Sequence, residues 1–261
     1  MRILVTNDDG INAEGLWTLV EALESVGEVS VVAPDRDQSG IGTARTLLNI
    51  LRVSEVESRR EGISAFTVSG TPSDCVILAS ESIFSEPFDL VVSGINEGAN
   101  LGLDAFDSGT VGGAMRGYFR RIPSIAVSVT AVTGVQYESA AQVAMRLAHE
   151  VVGNGVGPFL YNVNVPNVAP DRIKGIRTTF LGPKAYLESV IQGQDGRRTH
   201  FWILHNKPIG DEIPEGCDVW ATRNGWVSIT PMDPANMSSS DLTGFAGLAK
   251  GVANSMDLPW A

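Results

Sequence analysis

Short apolar runs alternate along the chain with stretches in which apolar side chains recur every third or fourth position. The first run, Ile3-Leu4-Val5, leads directly into Thr6-Asn7-Asp8-Asp9-Gly10. Leu16, Leu19, Val20, Leu23 and Val26 then share one helical face, with Glu21 and Glu24 on the other side. Val29 to Ala33 predicts the next strand. After a loop from Pro34 to Gly42, Leu47 to Val53 and Ile63 to Val68 predict two segments that pair as an antiparallel edge or extension. Thr71-Pro72-Ser73-Asp74 is a helix start with proline in its first turn, and Cys75 to Ala79 is the apolar face that follows. Leu90 to Ser93, Ser124 to Val129 and Phe159 to Val165 predict further strands, the last of them closing the sheet. Val111 to Phe119 and Ser139 to Val152 predict helices. This alternation is that of βαβ units, hence a Rossmann-like α/β fold with a mostly parallel sheet and flanking helices.

Past residue 170 the pattern changes. Ile176 to Leu181 and His200 to Leu204 are short β-like runs around the polar insert Gly193-Gln194-Asp195-Gly196-Arg197-Arg198, which predicts a hairpin arm. Cys217 to Asn224 predicts a short helix before a strand at Trp226 to Pro231. The tail from Asp233 to Ala261 ends in apolar Met256, Leu258 and Trp260. The expected organisation is a single domain over 1–261, with 1–170 as the core that carries the site and 171–261 as arm, last strand and tail.

Composition narrows the function classes. With 43% hydrophobic and 19% charged residues in 261, the chain can bury one large core and keep a solvated surface. A net charge of −11 without a basic stripe excludes a grip on long nucleic acid. A small anion remains admissible where a cation and local N–H groups reverse the field. Met1-Arg2-Ile3 enters a strand at once, and no stretch approaches the ~18 apolar residues of a membrane helix, so the expected location is cytoplasmic, with no membrane partner. Cys75 and Cys217 are too few and too far apart for a disulfide framework or a CxxC site.

Charge at the end of a buried strand is costly, and Asp8-Asp9 stands there. Two readings fit that segment alone: a pair of carboxylates that share a cation, or a βα turn in which one Asp caps the next helix. Ser39-Gly40 reads as a turn or as a hydroxyl ligand, and Ser93-Gly94-Ile95-Asn96 as a strand exit or an amide ligand. Their joint placement decides, because all three clusters follow strands that share one edge of a parallel sheet. Two carboxylates, a hydroxyl and an amide carbonyl form an all-oxygen set suited to Mg²⁺, Mn²⁺ or Ca²⁺. Ser108-Gly109-Thr110 opens a small-residue helix, either as an ordinary N-cap or as an anion site. An anion site beside an oxygen-ligated divalent cation is the layout for phosphate-ester hydrolysis. There is no GxxxxGK[ST] loop, no GxGxxG after the first strand and no GxSxG elbow.

Taken together, these segments resemble the SurE (survival protein E) family. Asn7-Asp8-Asp9-Gly10, Ala33-Pro34 with Gln38-Ser39-Gly40, Gly70-Thr71-Pro72 with Asp74-Cys75-Val76, Ser93-Gly94-Ile95-Asn96 with Gly98 and Asn100, and Ser108-Gly109-Thr110-Val111 occur in the family's order. Asn162-Val163-Asn164-Val165-Pro166 and Ser228-Ile229-Thr230-Pro231 extend the likeness over nearly the whole chain. The resemblance implies a phosphatase acting on nucleoside 5′- and 3′-monophosphates, with short polyphosphate as a further substrate in some members. It also implies a homodimer or homotetramer whose arm and tail are exchanged between subunits. One divalent cation, Mg²⁺ or Mn²⁺, would be held by Asp8, Asp9, Ser39 and Asn96. Asp8 and Asp9 are the candidate catalytic carboxylates; Asn7, Gly40, Ser108, Gly109 and Thr110 are the candidates for substrate and phosphate. Gly112-Gly113 departs from the family pattern, which has alanine there, and predicts a more mobile helix start. The competing class is a nucleotide-binding or sensing oligomer of the same fold without turnover.

Overall fold

The computed structural model describes residues 1–153, 157–184, 186–208 and 212–234. In chain order the elements are β1 (Arg2–Thr6), α1 (Glu14–Leu23), β2 (Glu28–Pro34), β3 (Val53–Glu55), β4 (Ser64–Val68), α2 (Pro72–Leu78), β5 (Leu90–Glu97), α3 (Gly109–Phe119), β6 (Ser124–Val129) and α4 (Tyr137–Gly153). They continue as β7 (Leu160–Val165), β8 (Ile176–Thr178), β9 (Tyr186–Asp195), β10 (Arg198–Pro208), α5 (Asp218–Arg223) and β11 (Val227–Met232). Nine strands form one sheet in the order β3-β4-β2-β1-β5-β6-β7-β11-β8, and β9 pairs with β10 in a separate ribbon. The pairs β1–β2, β1–β5, β2–β4, β5–β6, β6–β7 and β8–β11 are parallel; β3–β4 is antiparallel. The chain divides into two compact units, Met1–Pro231 and Met232–Ala261, and only residues 232–234 of the second are described. The apolar tail singled out in the sequence therefore lies outside the described residues.

The central strands are apolar on both faces because both are covered. Along β1, Ile3 and Val5 join the core packed under α1 and α4, while Leu4 faces the opposite layer with Val76 and Ala79. That is the period-two alternation of a strand. α1 packs on α4 and α2 on α3, one pair on each face. α2 starts where its sequence says: Thr71 caps Asp74 N, the Asp74 carboxylate returns to Thr71 N, and Pro72 fills the first turn. β1 lies between β2 and β5, so the winding reverses at its carboxyl end, the place where such sheets hold ligands.

Four sequence expectations are corrected. Leu160–Val165 does not close the sheet, because β11 and then β8 lie beyond it. Ile176–Thr178 belongs to the sheet edge, and the hairpin is made by β9 and β10 around the Gly196 turn. Of the run Leu47 to Val53 only its last residue enters β3, and Leu47, Leu48 and Ile50 are exposed. The strand expected to end at Ser93 runs on to Glu97, and Gly102–Phe106 forms a 3₁₀ turn before α3. The two early glycines of α3 also have a packing role rather than a loosening one. A Cβ at Gly112 would meet Gly42 O at 2.0 Å, and one at Gly113 would meet Ser93 Oγ at 2.9 Å.

Candidate active site

The loop after β1 is closed on itself. Asn7 Nδ2 donates to Gly10 O (3.1 Å), and Gly10 N donates to Asn7 Oδ1 (3.2 Å), which spends both ends of the buried amide on the turn. The turn delivers Asp8 to the first residues of α3. Thr110 donates both its hydroxyl and its backbone N–H to the Asp8 carboxylate. Gly109 permits this approach: a Cβ there would lie 2.8 Å from Asp8 Cβ and Oδ2. Ser108 accepts from Val111 N at 3.2 Å and is the N-cap of α3. From the other side Gln38 N donates to Asp8 O at 2.7 Å, tying the loop after β2 to the loop after β1.

Within that second loop, Ser39 donates its hydroxyl (2.6 Å) and its N–H (2.7 Å) to Asp37 Oδ1. The hydroxyl proton is thereby committed, and the oxygen keeps its lone pairs for a further partner. β5 and β6 shift register between Ser93 and Asn96, a bulge of the kind that re-aims side chains at strand ends. Asn96 Nδ2 donates to Gly98 O at 2.7 Å, which leaves the amide oxygen as the available end. Further along, Asn100 is pinned by β7: Asn162 Nδ2 and Asn164 Nδ2 donate to Asn100 O at 2.8 and 3.0 Å, and Asn100 N donates to Asn164 Oδ1 at 2.8 Å. The asparagines of Asn162-Val163-Asn164 thus hold the loop that follows the candidate ligand Asn96.

Burial pushes the Asp8 carboxyl up to about 6 against the opposing Thr110 hydrogen bonds. Asp9 is pushed up to about 7, by burial first and then by the negative charges of Asp8, Glu97 and Asp37. Asp9 Oδ2 is buried and has no hydrogen-bond partner among the described residues. A buried carboxylate oxygen without a donor, surrounded by other carboxylates, is what a divalent cation neutralises. The donor set fits a hard cation: carboxylates of Asp8 and Asp9, the hydroxyl oxygen of Ser39 and the amide oxygen of Asn96. Among the described residues no three His, Cys, Asp or Glu side chains form a metal-binding group, so a site here depends on neutral oxygens as well.

Asp8, Ser39, Gly40, Asn96 and Ser108 line one cavity of about 580 Å³. Asn7, Asp9, Gly109 and Thr110 are not in its wall; Asp9 lies behind Asp8 in the chain, and Asn7, Gly109 and Thr110 hold the Asp8 turn in place. Three neighbours escaped the sequence reading. Asp37 and Glu97 stand two residues and one residue from predicted ligands, and a carboxylate so close to a proposed cation site was the available signal. Tyr137, which donates its hydroxyl to Glu97, comes from the start of α4 and has no local signal at all.

These features define a doubly wound α/β protein with an acidic, oxygen-lined site at its switch point. The family model described as Survival protein SurE matches residues 3–188, and the chain belongs to that family. It is 46% identical over 235 residues to a protein of Dehalococcoides mccartyi named 5′-nucleotidase SurE, covering 89% of this chain and 88% of that one. A protein of the same name from Halorhodospira halophila is 42% identical over 253 residues, 95% of each chain. The crystal structure of the SurE protein from Aquifex aeolicus superposes with a TM-score of 0.78 at 38% identity, covering 94% of this chain and 99% of that one.

Proposed function

We propose that the chain is a metal-dependent phosphomonoesterase that hydrolyses nucleoside 5′-monophosphates, and by the same chemistry 3′-monophosphates, to nucleoside and phosphate. The observation that carries this reading is the unpartnered Asp9 carboxylate oxygen, set beside Asp8 at the switch point of a sheet whose family relatives are named 5′-nucleotidases. Asp8, Asp9, Ser39 and Asn96 would hold one cation, Mg²⁺ or Mn²⁺. When bound, that ion supplies Lewis acidity toward a phosphoryl oxygen and acidifies water.

The chain's own groups do the rest. Thr110 and Gly109 fix the Asp8 carboxylate, and hydrogen bonds that tie up its oxygen make it a poor nucleophile toward phosphorus. Asp9 would anchor the ion through the carboxylate oxygen that no donor of the chain meets, and its raised carboxyl belongs to the cation-free protein. Asn96 adds an oxygen without adding negative charge against an anionic ester. Gly40 and Ser108 lie in the cavity wall where the phosphate would sit.

The reading also includes a homodimer or homotetramer. β9 and β10 expose Val190, Ile191, Phe201, Trp202 and Ile203, an apolar surface suited to burial against a second copy. Cys75 and Cys217 are free and buried, which supports a reducing, cytoplasmic location. Among the described residues no helix is long and apolar enough to cross a membrane.

The test is phosphate release from AMP with Mn²⁺ or Mg²⁺ present, against the same protein after exhaustive EDTA treatment. Turnover that stops on chelation and returns with the ion is expected. Full activity in EDTA would overturn the metal assignment, and nucleotide binding without turnover would favour the sensing class.

A further inference from the structure

The cavity has a second wall that phosphoryl chemistry does not need. α5 contributes Val219, Thr222 and Arg223 to it, three residues that share one helical face. Among the described residues Arg223 is the only Lys or Arg lining the cavity, against the carboxylates of Asp8, Glu97, Asp104 and Asp107. It is exposed, and among the described residues it makes no ion pair. A last-turn arginine complements a helix dipole anywhere; this one also stands at the lip of a concave site for an anionic ester. α5 packs over β7, and β7 is three strands from β1 in the sheet. At about 4.8 Å per strand, the two ends of the site are about 14 Å apart. That separation puts the phosphate at the β1 end and leaves the ribose and base toward α5.

We propose that Arg223 reads the base of the nucleotide and selects guanine over adenine. The proposal rests on the phosphomonoesterase reading above. A guanidinium carries donors only, held in a planar fork. Guanine offers O6 and N7, two adjacent acceptors that match the fork, whereas adenine replaces one of them with an amino donor. Val219 and Leu101 supply apolar surface of the cavity wall against the flat of the base. Arg223 is therefore a specificity-determining residue that leaves the reacting phosphorus to other groups.

The test is initial-rate kinetics with GMP, AMP and p-nitrophenyl phosphate on the parent, Arg223→Gln and Arg223→Lys, with Mn²⁺ present. Calorimetric titration of guanosine and adenosine runs alongside. The parent should show a KM for GMP about tenfold below that for AMP, with similar kcat. Arg223→Gln, whose amide matches the N6 and N7 pair of adenine, should reverse that order, and Arg223→Lys should flatten it. p-Nitrophenyl phosphate, which has no base, should keep its KM in every variant. The position is exposed and helix-terminal, so both variants keep the fold. An unchanged GMP to AMP ratio in Arg223→Gln overturns the proposal, as does an equal loss on p-nitrophenyl phosphate, which would make Arg223 a general positive charge. Absent turnover on all three substrates, with guanosine still bound more tightly than adenosine, would strike the phosphomonoesterase reading and leave Arg223 as the base reader. Equal binding of both nucleosides to the parent overturns Arg223 whatever the turnover.

Discussion

Asp74 and Asp218 are as deeply buried as Asp8, yet they do opposite work from the pair at the end of β1. Asp74 accepts from Thr46 N (2.9 Å), Thr46 Oγ (2.7 Å) and Thr71 N (3.0 Å). Asp218 accepts from Gly102 N (2.7 Å), Gly182 N (2.8 Å) and Val219 N (2.8 Å). Each is a knot that fastens loops, with its charge met by donors from the chain. Asp9 has a buried oxygen that meets none and lies in the field of three other acids. Asp8 takes its donors from Thr110 and Asp9 accepts from the Glu97 backbone, so what sets the pair apart is the one buried oxygen of Asp9 left for a partner the chain does not supply. Sorting aspartates by their partners, rather than by burial, is what separates the two regions.

Asp9→Asn breaks the comparison most sharply. It should cut phosphate release by about 10³-fold, the scale of losing a charge that anchors a catalytic ion. It should also stabilise the cation-free protein at neutral pH. Asp8 near 6 and Asp9 near 7 stand above the ordinary 3.8, so the folded chain keeps protons that the unfolded chain has released. Stability of the cation-free parent then falls as pH rises from about 4 to about 7 and is flat above that. Thermal unfolding across that range checks the slope, which Asp9→Asn should shrink and added Mn²⁺ should reverse. A variant that melts lower than the parent at pH 8 would put Asp9 with the structural acids.

Gly109→Ala comes next. Its Cβ must displace the Asp8 carboxylate, and a shift approaching 1 Å costs about 10²-fold in rate. Metal titration should show weaker binding with little change in melting temperature. On the structural side, Asp74→Ala should cost about 2 kcal/mol of folding stability, because the donors of Thr46 and Thr71 lose their acceptor. Metal affinity per folded molecule should not move; if it does, the two regions are not independent. The smallest effect expected is that of Tyr137→Phe. Freeing the Glu97 carboxylate removes one hydrogen bond worth about 1 kcal/mol, read as a few-fold change in metal affinity.

What the sequence made legible was local. Ile3-Leu4-Val5 running into Asn7-Asp8-Asp9-Gly10 shows the end of a buried strand and its charge at once, and Thr71-Pro72-Ser73-Asp74 is a complete cap. Leu47, Leu48 and Ile50 misled because an apolar run does not reveal whether a partner covers it, and here they stay exposed. Ile176–Thr178 was assigned to the arm because three residues carry too little pattern to show a partner at Val227–Ile229. At the site, the proposed ligands were readable from strand ends. The roles of Thr110 and Gly109 as supports for Asp8, and of Tyr137 behind Glu97, arise from contacts between distant segments that no spacing encodes.

The sheet order has a consequence for biosynthesis. β8 leaves the ribosome before the arm, but its partner β11 begins about fifty residues later, a few seconds of elongation. Until then β7 is the edge of the sheet on that side, and β8 has no strand to pair with. The nascent polypeptide is thus most open to chaperone capture and to edge-to-edge aggregation in that interval, and a ribosome stalled near residue 210 would release a species that has its rim acids but lacks the strand that seals the sheet.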